Sequence, residues 1–439
     1  MKILILTQDI TVKEVSRNYN TGFSLMVVQI AAALAAEGAE VFVSSSSLTN
    51  DTIVVRSEKG EKRFVLLERK IRKLLTCLRW KDAPRAVRHA LSSHKMPTVR
   101  RLKLLKYTAS IGFNIRLIQE TNPDVVFIHS LGPETLPFIT AALHTRKPFV
   151  LALHGLFHDQ PGPDDFSTQG EIQLLPELLR AGMPLTVVGS GMRGKLLKLY
   201  GWKECGNIHV VPNALNDDAD EAGNTDNAEN SGNTDGCANS GDPWTRTYRI
   251  LSIGNLCERK NQLQTLRAFA LLPPGIRENS QLCLIGKDTL GGALQKEAER
   301  LGIDQWCTFT GSLPHDEVFR WAKKASVMVL ASKSEGFGLS IIEGYRYGVP
   351  AVCFNLIDAF EDLYHGECMT PVREYSDEAL SNAIRETLLR EWDKEFIRMF
   401  ARKFSNHAMA SAYINVLRQA QPAALTERDF NRLADRFLS

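Results

Sequence analysis

Short runs of apolar residues recur along the chain, separated by stretches in which apolar positions return every three or four residues. Runs at 3–6, 41–44, 125–129, 149–153, 186–188 and 209–211 predict one series of buried strands. A second series is predicted at 250–253, 282–285, 308–310, 327–330 and 351–354. Between them, helical periodicity predicts helices at 25–37, 261–271, 294–301, 316–324 and 339–347. Continuous apolar strands alternating with helices imply a parallel sheet covered on both faces. Two such series, each starting afresh, predict an α/β protein of two Rossmann-like domains. The expected boundaries are 1–213 for the first, 214–245 for a linker and 246–404 for the second. A helical tail at 405–439 follows, with helices expected at 412–417 and 430–438.

The linker is marked by composition. From Asp217 to Asp242 the chain has no Val, Ile, Leu, Phe, Tyr, Trp or Met, and Gly-Asn-Thr-Asp occurs at 223 and again at 232. Such a segment cannot bury enough apolar area to offset its ordering entropy, so a disordered loop is expected. A second shift is electrostatic. Lys and Arg crowd residues 62–106, opposed there only by Glu68 and Asp82, although the whole chain carries a net charge of only +3. The remainder is therefore acidic, and the charge is polarised.

That small net charge argues against a protein that coats nucleic acid, so no nucleic-acid partner is expected. The content of 44% hydrophobic and 23% charged residues is close to the globular average and excludes fibrous or wholly disordered classes. The 8 cysteines are scattered without a Cys-x2-Cys pair, and several lie in apolar runs such as Leu282-Cys283-Leu284-Ile285. Reduced, buried thiols are expected rather than a zinc site or a disulfide framework. The apolar stretch 25–36 includes Gln29 and falls short of the ~20 residues that span a bilayer. Met1 to Leu6 reads as a first strand rather than a leader. A cytoplasmic protein is expected.

The densest chemical signal is Ser334-Glu335-Gly336-Phe337-Gly338-Leu339-Ser340-Ile341-Ile342-Glu343, followed by Gly348-Val349-Pro350. It reads as a strand, a glycine-bearing turn and a helix ended by glycine and proline. In an open parallel sheet such a turn lies at the carboxyl edge, where ligands bind. Helix-start N–H groups attract anions, and the glycines let a phosphate or sugar approach the backbone. Glu335 precedes the helix and Glu343 lies within it, so the two carboxylates can grip different parts of one extended ligand.

This segment resembles the Glu-x7-Glu signature of the retaining nucleotide-sugar glycosyltransferases of family 4, which have the GT-B fold. Ser252 to Asn261 (SIGNLCERKN) is similar to that family's phosphate-binding segment, and Val210-Val211-Pro212-Asn213-Ala214 to its domain crossover. The run 125–129 and Leu151-Ala152-Leu153-His154-Gly155 resemble two strands of its N-terminal domain, the second ending at an active-site histidine. Residues 61–118 carry no such resemblance. The resemblance implies two Rossmann-like domains with parallel sheets facing a central cleft, an acceptor held by the first and a nucleotide-sugar by the second. It also implies that the tail crosses back to the first domain.

Carried over residue by residue, it implies that Lys260 neutralises the donor diphosphate, Glu343 accepts from the ribose hydroxyls and Glu335 from the transferred sugar. The N–H groups of Phe337, Gly338 and Leu339 would face the sugar and the distal phosphate. His154 would lie near the reaction centre, and Gly22 in a loop that closes on the diphosphate. Two departures stand out. Asn255 occupies the place of the family's arginine, and the N-terminal loop has one glycine where two are common. Arg259 could replace the missing cation, except that adjacent residues on an extended segment point apart. His129 ends its strand and could line the cleft, and His158 and Asp159, on the loop after His154, could touch the acceptor.

The implied activity is retaining transfer of a hexosyl or N-acetylhexosaminyl group, from a UDP- rather than GDP- or ADP-sugar. The expected acceptor is a lipid-linked saccharide or a lipopolysaccharide or exopolysaccharide precursor. Rival readings are a small soluble acceptor, and a catalytically weak sugar-nucleotide-binding or scaffold protein, which Asn255 favours. No cofactor or obligatory metal is expected, because Lys260 and the helix terminus can balance the diphosphate. In the basic stretch, Leu67, Ile71, Leu74, Leu75 and Leu78 follow one helical face, ringed by Arg69, Lys70, Arg72 and Lys73. This predicts an interfacial helix on an anionic membrane and peripheral attachment at its cytoplasmic face.

Overall fold

A computed structural model describes residues 1–7, 22–45, 51–57, 60–68, 98–132, 135–156, 166–215 and 245–438. The chain divides into two compact units, Met1–Pro212 with Asn406–Ser439, and Asn213–Ser405.

Unit 1 is built on β1 (Lys2–Leu6), β2 (Glu40–Ser45), β3 (Asp51–Ser57), β4 (Gly60–Glu68), β5 (Val125–His129), β6 (Phe149–Leu153), β7 (Leu185–Val187) and β8 (Ile208–Val210). The 8-stranded sheet has the order β3-β4-β2-β1-β5-β6-β7-β8. All neighbours are parallel except the β3–β4 pair at the edge. β5 and β6 are buried along their whole length, as continuous apolar strands in a parallel sheet must be. α1 (Gly22–Ala36), α2 (Thr98–Thr121), α3 (Leu136–Thr145) and α4 (Ser190–Tyr200) belong to the same unit, as does a further helical stretch at 166–180.

Two differences from the sequence reading matter here. β3 and β4 were not predicted, and β4 takes Leu67, which pairs with Ser44 of β2. The apolar run Phe64-Val65-Leu66-Leu67 gains a parallel ladder on one side and a hairpin partner on the other, and this outweighs its helical spacing. The proposed interfacial face therefore loses Leu67. Its remaining members, with Arg69, Lys70, Arg72 and Lys73, lie outside the described residues, as do His158, Asp159 and segment 217–242.

Unit 2 has β9 (Tyr248–Ile253), β10 (Ser280–Ile285), β11 (Cys307–Gly311), β12 (Val327–Leu330), β13 (Ala351–Phe354) and β14 (Met369–Val372). They form a 6-stranded sheet in the order β11-β10-β9-β12-β13-β14, parallel throughout. The chain runs outward from β9 to β11, then returns to β12 on the other side of β9. The carboxyl ends of β9 and β12 thus flank a topological switch point. Helices α5 (Gln262–Ala270), α6 (Ala293–Arg300), α7 (His315–Lys323), α8 (Leu339–Tyr345), α9 (Asp377–Leu389) and α10 (Lys394–Ala401) cover the sheet. Ile250, Leu282, Val327 and Val352 of the strands pack with Leu266, Phe269, Leu380 and Ile384 of the helices in one core.

The chain then rejoins unit 1 as α11 (Asn406–Gln419) and α12 (Glu427–Leu438). α11 lies on α1, where the Gln29 amide donates to Asn406 Oδ1 at 2.9 Å and His407 Nδ1 is 2.7 Å from Glu37 Oε1. α12 reaches α3, with His144 Nδ1 2.8 Å from Glu427 Oε2. Among the described residues no helix is long and apolar enough to cross a membrane.

Candidate functional site

The predicted donor residues of unit 2 come from the loops after β9 and β12, and the switch point brings them together. Lys260 Nζ donates to Glu335 Oε2 at 2.5 Å, with both side chains 15% exposed. Arg259 Nη1 reaches the same oxygen at 3.3 Å and donates to the Ser334 carbonyl at 2.9 Å. Ser332 Oγ adds a third donor to Glu335 Oε2 at 3.3 Å. The two loops are also joined through the backbone, where Lys333 N donates to the Arg259 carbonyl at 2.9 Å.

This corrects the expectation that Arg259 points away from Lys260. Residues 258–261 form a turn rather than an extended segment, so consecutive cations converge on one carboxylate. Asn261 closes the turn at φ +54°, a left-handed conformation that asparagine tolerates better than most residues. Its Nδ2 lies within hydrogen-bond distance of Gln264 Oε1, the Ala331 carbonyl and Tyr375 OH. Gly254, at φ +137°, leaves room for the lysine stem: a Cβ there would lie 3.0 Å from Lys260 Cε. Asn255 is exposed, and its carbonyl accepts from Gln262 Nε2 at 3.1 Å.

Phe337 is buried, Gly338 caps α8 at φ +84° and Leu339 begins that helix. No side chain caps the helix start. One turn on, Gly344 lies so close to β12 that a Cβ would meet Met328 Cγ at 2.2 Å. That approach seats α8 against the sheet and buries Glu343 to 8% exposure. Glu343 Oε2 has no hydrogen-bond partner. Burial pushes its carboxyl up to about 7, with Lys260 pulling the other way. A buried carboxyl with one oxygen left without a partner is costly, and such a group marks a candidate ligand site.

In unit 1, His154 directly follows β6 and lies beside His129, the last residue of β5. His129 Nδ1 and His154 Nε2 are 2.8 Å apart, their ring planes 5° from parallel. Phe23, next to Gly22 at the start of α1, meets the His154 ring edge-on at 5.6 Å. Burial lowers His154 to about 4 and, with the His154 charge adding to it, lowers His129 well below its usual value. Both rings are therefore held neutral at pH 7. The outer nitrogens, His129 Nε2 and His154 Nδ1, are buried without partners. His129 is more closely engaged with His154 than its place in the sequence suggested. The signal for it is its position at a parallel strand's carboxyl end beside a second such histidine.

Among the described residues, no group of three or more His, Cys, Asp or Glu is placed to hold a metal ion.

Two family models account for most of the chain. "Glycosyltransferase Family 4" matches residues 21–219 and "Glycosyl transferases group 1" matches residues 243–404. The first runs through residues 61–118, where the sequence motifs carry no resemblance. The chain belongs to the group 1/family 4 glycosyltransferases and has the GT-B fold. O-antigen chain mannosyltransferase B of Escherichia coli is 35% identical over 107 residues, 24% of this chain and 28% of that protein. This match thus spans little more than a quarter of that relative's length. The apo lipopolysaccharide outer core galactosyltransferase WaaB superposes with a TM-score of 0.61 at 13% identity, over 95% of this chain and 99% of that one. Anabaena Alr3699/HepE in complex with UDP superposes with a TM-score of 0.62 at 14% identity, over 95% and 100%. These likenesses describe the fold.

Proposed function

We propose that the protein is a retaining glycosyltransferase that moves a hexosyl or N-acetylhexosaminyl group from a nucleoside diphosphate sugar, UDP-linked, to a hydroxyl of a lipid-linked saccharide or a lipopolysaccharide or exopolysaccharide precursor. The observation that carries this reading is the buried, unpaired Glu343 oxygen in the same unit as the Arg259–Lys260–Glu335 cluster. A ribose hydroxyl supplies the donor that Glu343 Oε2 lacks, and a diphosphate supplies the anion that two convergent cations attract. The saccharide acceptor is supported by the O-antigen relative.

The chemistry follows from charge. When the anomeric carbon–oxygen bond breaks, the diphosphate takes the electron pair and negative charge grows on its oxygens. Lys260 and Arg259, already held at the loop, stabilise that charge without reorganising. Glu335 accepts from hydroxyls of the sugar while its own orientation is set by three donors. The acceptor oxygen bonds to the anomeric carbon from the face the diphosphate leaves. Its proton passes to the departing phosphate oxygen, so no side-chain base is required. Neutral His154, held by His129, offers a hydrogen bond to the sugar. Fixed cations do the work of a metal clamp, so the reaction is proposed to be metal-independent.

The test is nucleotide release from a panel of UDP-, GDP- and ADP-sugars, with and without a lipid-linked saccharide. Release from one donor class that is lost in Lys260→Ala supports the reading. No release or binding of any donor refutes it.

A further inference from the structure

The turn that carries Glu335 leans on a chain of aromatic rings that the transfer chemistry does not use. Phe337, between Gly336 and Gly338, is 3% exposed. Its ring meets Phe404 edge-to-face, with centroids 5.7 Å apart at 72°. Phe404 meets Phe400 at 6.1 Å and 71°, and Phe400 meets Tyr345 at 5.9 Å and 77°. The chain of rings thus begins on the turn and ends on α8, two residues past Glu343. Lys403 clamps it, its Nζ 3.6 Å from the Phe400 ring centre and 4.7 Å from that of Phe404 while donating to the Asp362 carbonyl at 2.7 Å.

Phe404 is also fixed through its backbone. Its carbonyl accepts from Leu215 N at 3.1 Å, and Leu215 pairs with Ser405 in a parallel bridge. Unit 2 runs from Asn213 to Ser405, so the segments by which the chain enters and leaves it are tied together at this residue. Phe404 is therefore anchored independently of the turn it supports.

We propose that Phe404 is a positioning residue for the nucleotide-sugar: its ring sets Phe337, and through Phe337 the path of residues 335–339. This rests on the reading of unit 2 as the donor site. Glycine on both sides leaves the backbone around Phe337 with little conformational preference of its own. The shape of the turn then follows from where the Phe337 side chain is seated, and Phe404 is an edge-to-face partner at that seat. Replacing the ring by a branched aliphatic side chain keeps the site apolar but removes the edge that sets the angle.

The experiment uses the full chain and whichever of UDP, GDP and ADP it binds most tightly by calorimetry. Phe404→Leu is expected to weaken that nucleotide about two- to tenfold, the range an aromatic pair commands. Phe337→Leu should do the same, and the double variant should be no weaker than either single one, because the effect passes through one contact. Leu380→Ala, a core change in α9, serves as the control for lost stability: its melting temperature should fall while its affinity stays at the parent value. Parent-like affinity in Phe404→Leu, additive losses in the double variant, or an equal loss of affinity in Leu380→Ala would each overturn the inference. Glu343→Ala separates the two readings. If it leaves binding intact, or if the parent binds none of the three nucleotides, the donor-site reading itself fails and the positioning role with it.

Discussion

Replacing Glu343 by glutamine should stabilise the protein while weakening its hold on nucleotide. The carboxyl has an ordinary value of 4.5, and burial raises it to about 7 in the fold. Below pH 4.5 the folded and unfolded chains both keep the proton and nothing is lost. Between 4.5 and 7 the unfolded chain releases it while the folded chain retains it, so stability falls as pH rises. Above 7 both forms are ionised and the cost is constant. At 1.36 kcal/mol per unit, the penalty at pH 8 is about 3 kcal/mol. Glutamine has nearly the same shape and cannot ionise, so the variant should match the parent near pH 4.5 and exceed it by up to that amount at pH 8. For a domain of this size 1 kcal/mol moves the melting temperature by about 2–4 °C, so a rise of roughly 6–12 °C is expected. Scanning calorimetry at pH 5, 6.5 and 8 measures it, with the transition of unit 2 identified as the one that Leu380→Ala lowers. A difference between variant and parent that is the same at all three pH values, or a variant less stable at pH 8, would refute the reasoning.

Three further outcomes are expected. Lys260→Ala should lower the transfer rate roughly 10–150-fold, the loss of one charge-assisted contact worth ~1.5–3 kcal/mol. It should also raise the Glu343 carboxyl further, because the lysine now opposes that shift; the pH dependence of nucleotide binding, read by calorimetry, would move upward. Activity should survive EDTA to within a few-fold, whereas complete loss restored by Mg²⁺ or Mn²⁺ would exclude a clamp built from Lys260 and Arg259 alone. Replacing Arg69, Lys70, Arg72 and Lys73 by glutamine should remove salt-sensitive sedimentation with anionic vesicles, at ~1 kcal/mol per basic residue, yet spare donor hydrolysis; equal sedimentation of both proteins would end the membrane reading.

Most of the strands legible in the sequence are buried along their whole length, where the pattern becomes a continuous apolar run, while β8 and β11 are only partly buried. β3 and β4 are harder to read because Asp51, Arg56, Glu61, Lys62 and Arg63 shorten their apolar runs and the helical spacing that starts at Leu67 competes for the end of β4. Charge of this kind is what an edge hairpin needs to avoid pairing with another chain. β14 was hidden by Pro371, which cannot donate to a ladder and is tolerated because this strand too lies at a sheet edge. The predicted site residues were readable one at a time, but their partnerships were not. Lys260 and Glu335 lie 75 residues apart and meet because β9 and β12 are neighbours, with Val327 opposite Ile250. His129 and His154 meet because β5 and β6 pair in register, with His129 opposite Ala152.

Glu343 shows how far local pattern reaches and where it stops. A glutamate within a helix gives no sign of whether it faces solvent or core, and its spacing from Glu335 says only that both lie near one strand end. The sequence does contain the deciding residue, in Gly344. A glycine inside a helix costs about 1 kcal/mol relative to alanine, so its presence there calls for a compensating contact. That contact is the Met328 side chain of β12, which occupies the space a Cβ would need. The helix can then settle onto the strand and carry the neighbouring carboxylate out of water. The raised carboxyl, the unpaired oxygen and the expected stability of the glutamine variant all descend from this one close approach. Gly344→Ala should therefore push α8 off the sheet, expose Glu343 and bring its carboxyl back toward 4.5. Titration of that carboxyl by NMR in the two proteins would test this, and an unchanged value near 7 in Gly344→Ala would show that the glycine does not control the burial.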